Sequence, residues 1–140
     1  MLCLAPLVLI GYALTMEMQQ TRHPSNVDGT VLEAQTCETG LGLDAKASTA
    51  GLYGVGLQYG LRLVEYQDWT LTILPKAGLS YTEKPRHELP MQYQFEIGGQ
   101  LLLGYNRYRI GVEWWHLSNA GLTPHNVGLD MLLIQTGVQF

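Results

Sequence analysis

A strict alternation of apolar and polar residues over one long stretch is the feature that most constrains this fold. Between Pro90 and Tyr105 the odd positions are Met91, Tyr93, Phe95, Ile97, Gly99, Leu101, Leu103 and Tyr105. The even positions are Gln92, Gln94, Glu96, Gly98, Gln100, Leu102 and Gly104. Successive side chains of a β-strand point to opposite faces, so this period of two predicts a strand with one apolar and one polar face. The strand is far longer than the usual five or six residues.

The same alternation recurs along the chain and predicts an all-β, antiparallel fold. Strands are predicted for Leu52 to Tyr66, Trp69 to Tyr81, the segment from Tyr108, and Leu132 to Phe140. A weaker strand is predicted for Thr30 to Leu43, and the first visible strand for Val8 to Gln20. With the strand at Pro90 to Tyr105, seven strands are visible.

Two architectures present this pattern, a soluble lipocalin-like barrel with its apolar faces inward and a transmembrane barrel with them outward. The strands are long enough to cross a bilayer at a tilt, and the polar face is rich in Gly, Gln, Thr and Ser, which suits a narrow eight-stranded lumen. Charged residues make up only 14% of the chain, against about 25% in a soluble domain. Aromatic residues lie near the ends of the apolar faces, as in an interfacial girdle: Tyr53, Trp69, Tyr81, Tyr105, Trp114 and Phe140. These features favour the transmembrane β-barrel of the eight-stranded type.

Turn lengths predict the orientation of the barrel. The connections at Tyr66 to Asp68 and Tyr105 to Arg107 are tight, whereas Asp44 to Ala50, Thr82 to Leu89 and Asn119 to Leu129 are longer. Outer-membrane barrels place short turns in the periplasm and long loops outside, so the strand from Tyr108 is predicted to run outward.

The N-terminal segment admits two interpretations. Single-chain bacterial barrels have an even number of strands, so seven visible strands imply either a first strand missing before Met1 or a signal remnant at residues 1–15. The first is favoured because no Lys or Arg accompanies the apolar segment. In either case residues 1–140 are expected to form a single outer-membrane β-barrel domain. The chain has no uninterrupted apolar run long enough for a helical span, and a net charge of −4 without a basic cluster argues against nucleic-acid binding.

A potential catalytic group lies where the last two strands meet. His116 and Ser118 are two residues apart, so both point to the face set by Ile110, Val112 and Trp114, the predicted lipid-facing one. Asp130 shares the parity of the lipid-facing residues on the next strand. Polar groups on such a face are costly unless they satisfy one another. An Asp–His–Ser chain would do so, and it is the arrangement that activates a serine nucleophile.

The stretch around these residues resembles the PagL-type lipid A 3-O-deacylases of the bacterial outer membrane. That family's motif is His-x-Ser-Asn-Ala-Gly, then Pro and Asn, then an acid fourteen residues after the His. The motif residues present in this sequence are His116, Ser118, Asn119, Ala120, Gly121, Asn126, Gly128 and Asp130. Two differences from the family pattern are an Asp where the family typically has Glu, and Pro124 one place early. The motif covers about fifteen residues, and the remaining chain is similar to the family only in its strand pattern.

The resemblance implies a serine esterase that removes the 3-position acyl chain from lipid A. In that interpretation His116 is the general base, Ser118 the nucleophile and Asp130 the residue that orients His116, while Asn119 or a nearby backbone N–H stabilises the oxyanion. The implied partners are lipid A, or lipopolysaccharide, and the outer membrane, without a metal or other cofactor; a homodimer is left open. The alternative is a non-catalytic structural or lipid-binding barrel of the same fold.

Overall fold

The computed structural model describes residues 5–16, 28–84, 92–119 and 128–140. These residues form eight strands: β1 (Leu7–Thr15), β2 (Gly29–Gln35), β3 (Gly40–Ser48), β4 (Leu52–Tyr66), β5 (Trp69–Thr82), β6 (Tyr93–Tyr105), β7 (Tyr108–Ser118) and β8 (Leu129–Gln139). Each strand pairs antiparallel with the next, and β1 pairs antiparallel with β8, which closes the barrel. In these described ranges no helix is long and apolar enough to cross a membrane. The predicted closed antiparallel barrel is confirmed.

The predicted count of seven strands is wrong, because the segment predicted as one strand from Thr30 to Leu43 contains parts of two. β2 ends at Gln35, and the chain turns back to begin β3 at Gly40, which has a φ of +78°. The backbone N–H of Thr36 donates to the carbonyl of Leu43 at 3.0 Å across this turn. In the sequence, Gly40 alone is too weak a turn signal to divide the segment from Thr30 to Leu43 into two strands. With eight strands in a closed barrel, the odd count that implied a missing first strand no longer applies.

The prediction of a longer loop from Asp44 to Ala50 is also wrong. β3 continues to Ser48, and a tight turn at residues 49–51 leads into β4. Gly51 has a φ of +80°, which a glycine adopts without steric cost. The turn is closed by a hydrogen bond from the N–H of Gly51 to the carbonyl of Ser48 at 3.0 Å.

The two ends of the barrel differ in their connections. Residues 36–39, 67–68 and 106–107 form short turns at the end where β1 begins and β8 finishes. The connections β1–β2, β5–β6 and β7–β8 lie at the other end and are longer; this end, where β7 finishes and β8 begins, is called the site end below. Most of each longer connection lies outside the described residues.

The predicted alternation of faces is present in the barrel wall. On β4 the side chains of Val55, Leu57 and Tyr59 are exposed on the outside, whereas Gln58 between them is buried inside. The outer wall is thus apolar and polar side chains lie inside, the reverse of the arrangement in a soluble barrel.

Oppositely charged side chains fill the middle of the lumen and connect opposite walls. Lys46 Nζ lies 2.7 Å from Asp44 Oδ2 and 2.9 Å from Glu113 Oε1. Lys76 forms ion pairs with Glu33 and Glu113, the second at 3.3 Å. Gln100 and Gln135, which are joined by a 2.6 Å hydrogen bond, complete the network. Because these groups are buried, each depends on its partners rather than on water.

An apolar cluster fills the lumen at the site end, behind the wall formed by β7 and β8. Its buried members are Ala13, Val31, Leu52, Trp115, Leu117, Leu129, Met131 and Leu133. Trp115 links the cluster to the polar network, since its Nε1 donates to Glu96 Oε2 at 2.8 Å. The inner side of the wall formed by β7 and β8 therefore packs against buried apolar side chains.

Replacing Lys76 by Met should destabilise the barrel. The change leaves Glu33 and Glu113 with less compensating charge, and breaking a buried ion pair costs about 3 kcal/mol or more. Denaturant unfolding in detergent micelles measures this loss. Lys84→Met is the matched control, because Lys84 is exposed beyond the end of β5. Equal stability of the two variants would contradict a structural role for the network.

Candidate active site

His116 and Asp130 face each other across β7 and β8. Their Cα atoms are partners in the register, and His116 Nδ1 lies 2.8 Å from Asp130 Oδ1. Both side chains are on the outer face, where the imidazole is 22% exposed and the carboxylate 12% exposed. The pairing of the two strands thus brings together two residues that are fourteen positions apart in the chain.

The hydrogen bond between them determines how the imidazole can act. An ionised carboxylate only accepts hydrogen bonds, so Nδ1 carries the proton that is donated to Asp130. In the neutral ring this leaves Nε2 with a lone pair, which is the form of histidine that can take a proton from a nucleophile. The pair therefore has the orientation required of a general base.

Ser118 is the last residue of β7 and lies on the same outer face as His116. It is two residues further along the strand, a Cα separation of about 6.8 Å in an antiparallel strand. Its side chain is partly exposed, and its Cα partner on β6 is Phe95. The hydroxyl is thus at the site end, on the same side of the wall as the imidazole.

Asn119 follows β7 directly and is only 1% exposed. Its burial contrasts with the partly exposed Ser118 before it. Asn119 is therefore shielded from the surroundings of the barrel, whereas Ser118 is accessible.

Trp114 contacts both members of the pair, a role that sequence analysis missed. Its Nε1 donates to Asp130 Oδ1 at 2.8 Å, and its ring centroid lies 5.8 Å from that of His116. The sequence indicates Trp114 as a girdle residue and as one of the residues that define the outer face. Its parity with His116, two positions away on the same face, was the one signal for this contact.

Gly128 directly precedes β8 and packs against the imidazole of His116. It has a φ of +76°, and a Cβ at this position would lie 3.0 Å from His116 Cε1 and 3.1 Å from the carbonyl oxygen of Leu117. A side chain at position 128 would therefore press against the imidazole and against this carbonyl group.

Apolar side chains surround the polar group on the outer face. Ile97 is the β6 partner of His116, and Leu132 follows Asp130 on the outer face of β8. Leu14 of β1 is the partner of Leu132 and is exposed. Among the described residues, no three His, Cys, Asp or Glu side chains converge as a metal site requires. The site is thus a small polar group within an apolar surface, which suits a substrate with acyl chains.

The fold is similar to that of the outer-membrane protein Ail of Yersinia pestis. Its structure in a phospholipid bilayer nanodisc matches with a TM-score of 0.58 at 14% identity, over 97% of this chain and 99% of Ail. A crystal structure of Ail matches with a TM-score of 0.58 at 13% identity, over 98% of this chain and 99% of Ail. This likeness shows that the chain and Ail share one fold.

The sequence profile of the family described as lipid A 3-O-deacylase (PagL) matches residues 10–139. The chain therefore belongs to the PagL lipid A 3-O-deacylase family, and the predicted family membership is confirmed. No curated protein sequence matches the chain.

Replacing Gly128 by Ala should lower deacylase activity about tenfold or more without unfolding the barrel. The added Cβ would push the imidazole away from its position beside Asp130, and small displacements of catalytic groups are costly. Gly40→Ala is the matched control, because Gly40 has a nearly identical φ of +78° but nothing within 4 Å of its Cβ position. Fatty acid release from lipid A measures activity, and thermal unfolding in detergent measures stability. Equal activity in the two variants would contradict a steric role for Gly128.

Proposed function

We propose that this protein removes the 3-position acyl chain from lipid A by a Ser–His–Asp mechanism. The observation that carries the proposal is the 2.8 Å contact between His116 Nδ1 and Asp130 Oδ1, on the same outer face as Ser118. These three residues also occupy the positions of the motif by which the sequence resembles its family. Family membership supports the substrate.

In the proposed reaction Ser118 Oγ attacks the carbonyl carbon of the 3-position ester while His116 Nε2 takes the hydroxyl proton. The tetrahedral intermediate collapses when the ester C–O bond breaks, and His116 returns the proton to the departing sugar oxygen. Water then attacks the acyl-serine with His116 again acting as base, which releases the fatty acid and restores Ser118. Asp130 holds the imidazole in the required tautomer and stabilises its charged form.

The oxyanion contact is proposed at residue 119. The burial of the Asn119 side chain favours the backbone N–H groups next to Ser118 over the amide group as donors. One such donor contributes about 3 kcal/mol to transition-state stabilisation where it has been measured in other enzymes.

We propose that the protein lies in the bacterial outer membrane, with the site at the outer rim. An apolar outer wall around a charged interior is the arrangement of a membrane barrel, because lipid rather than water surrounds the wall. Short turns at the opposite end favour a periplasmic position for that end and an extracellular position for the site end. Lipid A of the outer leaflet would then reach His116 and Ser118 by lateral diffusion.

Ser118→Ala should abolish the release of 3-hydroxy fatty acid, with a loss of at least about a thousandfold, because it removes the nucleophile of a cooperating triad. Mass spectrometry of lipid A incubated with the purified barrel in detergent measures the lost acyl chain. Ser80→Ala is the control, since Ser80 is buried inside the barrel on β5. Undiminished release by a folded Ser118→Ala protein would remove the serine mechanism. No release even by the parent protein would favour the non-catalytic barrel.

Substitutions of Asp130 test its role as the acid of the proposed triad. Asp130→Asn should lower kcat by about a hundredfold or more, because Asn cannot stabilise the imidazolium. Asp130→Glu should retain or raise activity, since it restores the acid that the family typically has. Asp130→Leu should abolish turnover while leaving the barrel folded, because it removes a charge from an apolar face. Heat-modifiable gel mobility checks folding, and full activity in a folded Asp130→Leu protein would exclude Asp130 from the triad.

A further inference from the structure

We propose that Trp114 is a positioning residue that holds the short carboxylate of Asp130 against His116. The inference rests on the proposed function and deepens it, because it names a further residue that orients the acid of the proposed triad. Its basis is that two donors, Trp114 Nε1 and His116 Nδ1, meet one oxygen, Asp130 Oδ1, each at 2.8 Å.

Strand register determines this meeting. Trp114 lies on β7 two residues before His116, and its partner on β8 is Leu132, the outer-face neighbour of Asp130. The indole therefore approaches the carboxylate from the middle of the wall, whereas the imidazole approaches from directly across the strand pair. Two donors from different directions restrict both side-chain torsions of the Asp, which a single hydrogen bond would not do.

The apolar surroundings make this second donor important. The Asp130 side chain is 12% exposed on an outer face lined by apolar residues. A carboxylate with unfilled acceptor capacity in such a place is unstable, and it would turn towards any polar group within reach. The indole N–H gives the carboxylate a second donor without adding a charge. Trp114 is 42% exposed and keeps an apolar surface outward.

The length of the acid explains why this chain needs the indole. An Asp side chain is one methylene shorter than Glu, so its carboxylate reaches His116 only in a narrow range of orientations. The Trp114 ring also lies 5.8 Å from the imidazole ring at an interplanar angle of 31°, so it limits the rotation of His116 as well. One side chain thus restrains both members of the pair.

The kinetic test combines Trp114→Phe with Asp130→Glu. Phe keeps an aromatic ring but lacks the N–H, so Trp114→Phe should lower kcat about tenfold and change KM little, which is about 1.4 kcal/mol in activation free energy. In the Asp130→Glu background the same change should cost less than about threefold, because the longer carboxylate reaches His116 without help. Trp69→Phe is the control; Trp69 lies at the opposite end and packs on Tyr105 with ring centroids 4.7 Å apart.

Two kinetic results would overturn the proposal. One is a loss no greater than that of Trp69→Phe, and the other is an equal loss in both backgrounds, which would show that the indole acts independently of the carboxylate. Measuring Ser118→Ala under the same conditions distinguishes a failure of the Trp114 proposal from a failure of the proposed function. If that variant is inactive and Trp114→Phe behaves as the control does, only the role of Trp114 is refuted.

A spectroscopic test needs no turnover. The chain has three tryptophans, and Trp114→Phe identifies the Trp114 indole N–H in a ¹H–¹⁵N spectrum of the barrel in detergent. Asp130→Leu should shift this signal and speed its exchange with solvent, because the acceptor is lost, while the Trp69 signal stays in place. An unchanged Trp114 signal would overturn the proposal.

Discussion

The pairing of β1 with β8 is the interaction on which the rest of the structure depends. Without it, both strands would be edges with unpaired backbone groups, and an open edge of this length is unstable. Because β8 is paired with β7 on one side and β1 on the other, its register is held from both sides. That register places Asp130 opposite His116, so closure of the barrel and assembly of the site have one cause.

The barrel wall separates the ion pairs of the lumen from the polar residues of the outer face. Inside, Lys46 and Lys76 form ion pairs with buried carboxylates and join opposite walls, with Trp115 and its apolar neighbours filling the site end. Outside, the proposed site is a few polar groups within an apolar surface. The alternation of side chains along β7 separates the inner ion pairs from the outer site. Glu113 and Trp115 point inward, whereas Trp114 and His116 point outward.

Hydrogen bonds to one carboxylate oxygen join the polar side chains on the outer face. His116 and Trp114 both donate to Asp130, and Gly128 leaves room for the imidazole. A hydrogen-bonded carboxylate costs less on an apolar face than an unpaired one. An esterase acting on a lipid would require such bonds, because its substrate would approach through the apolar surroundings of the barrel.

The sequence by itself determined the fold class, the faces of the strands and the candidate residues His116, Ser118 and Asp130, because strand parity is a local property with a period of two. It did not determine the strand count, since the turn between Gln35 and Gly40 has only one weak local signal. Nor could it reveal the contacts of Trp114 and Gly128 with the His116–Asp130 pair. Those contacts depend on the register between β7 and β8, which is decided by pairing across the whole sheet and so appears only in the tertiary structure.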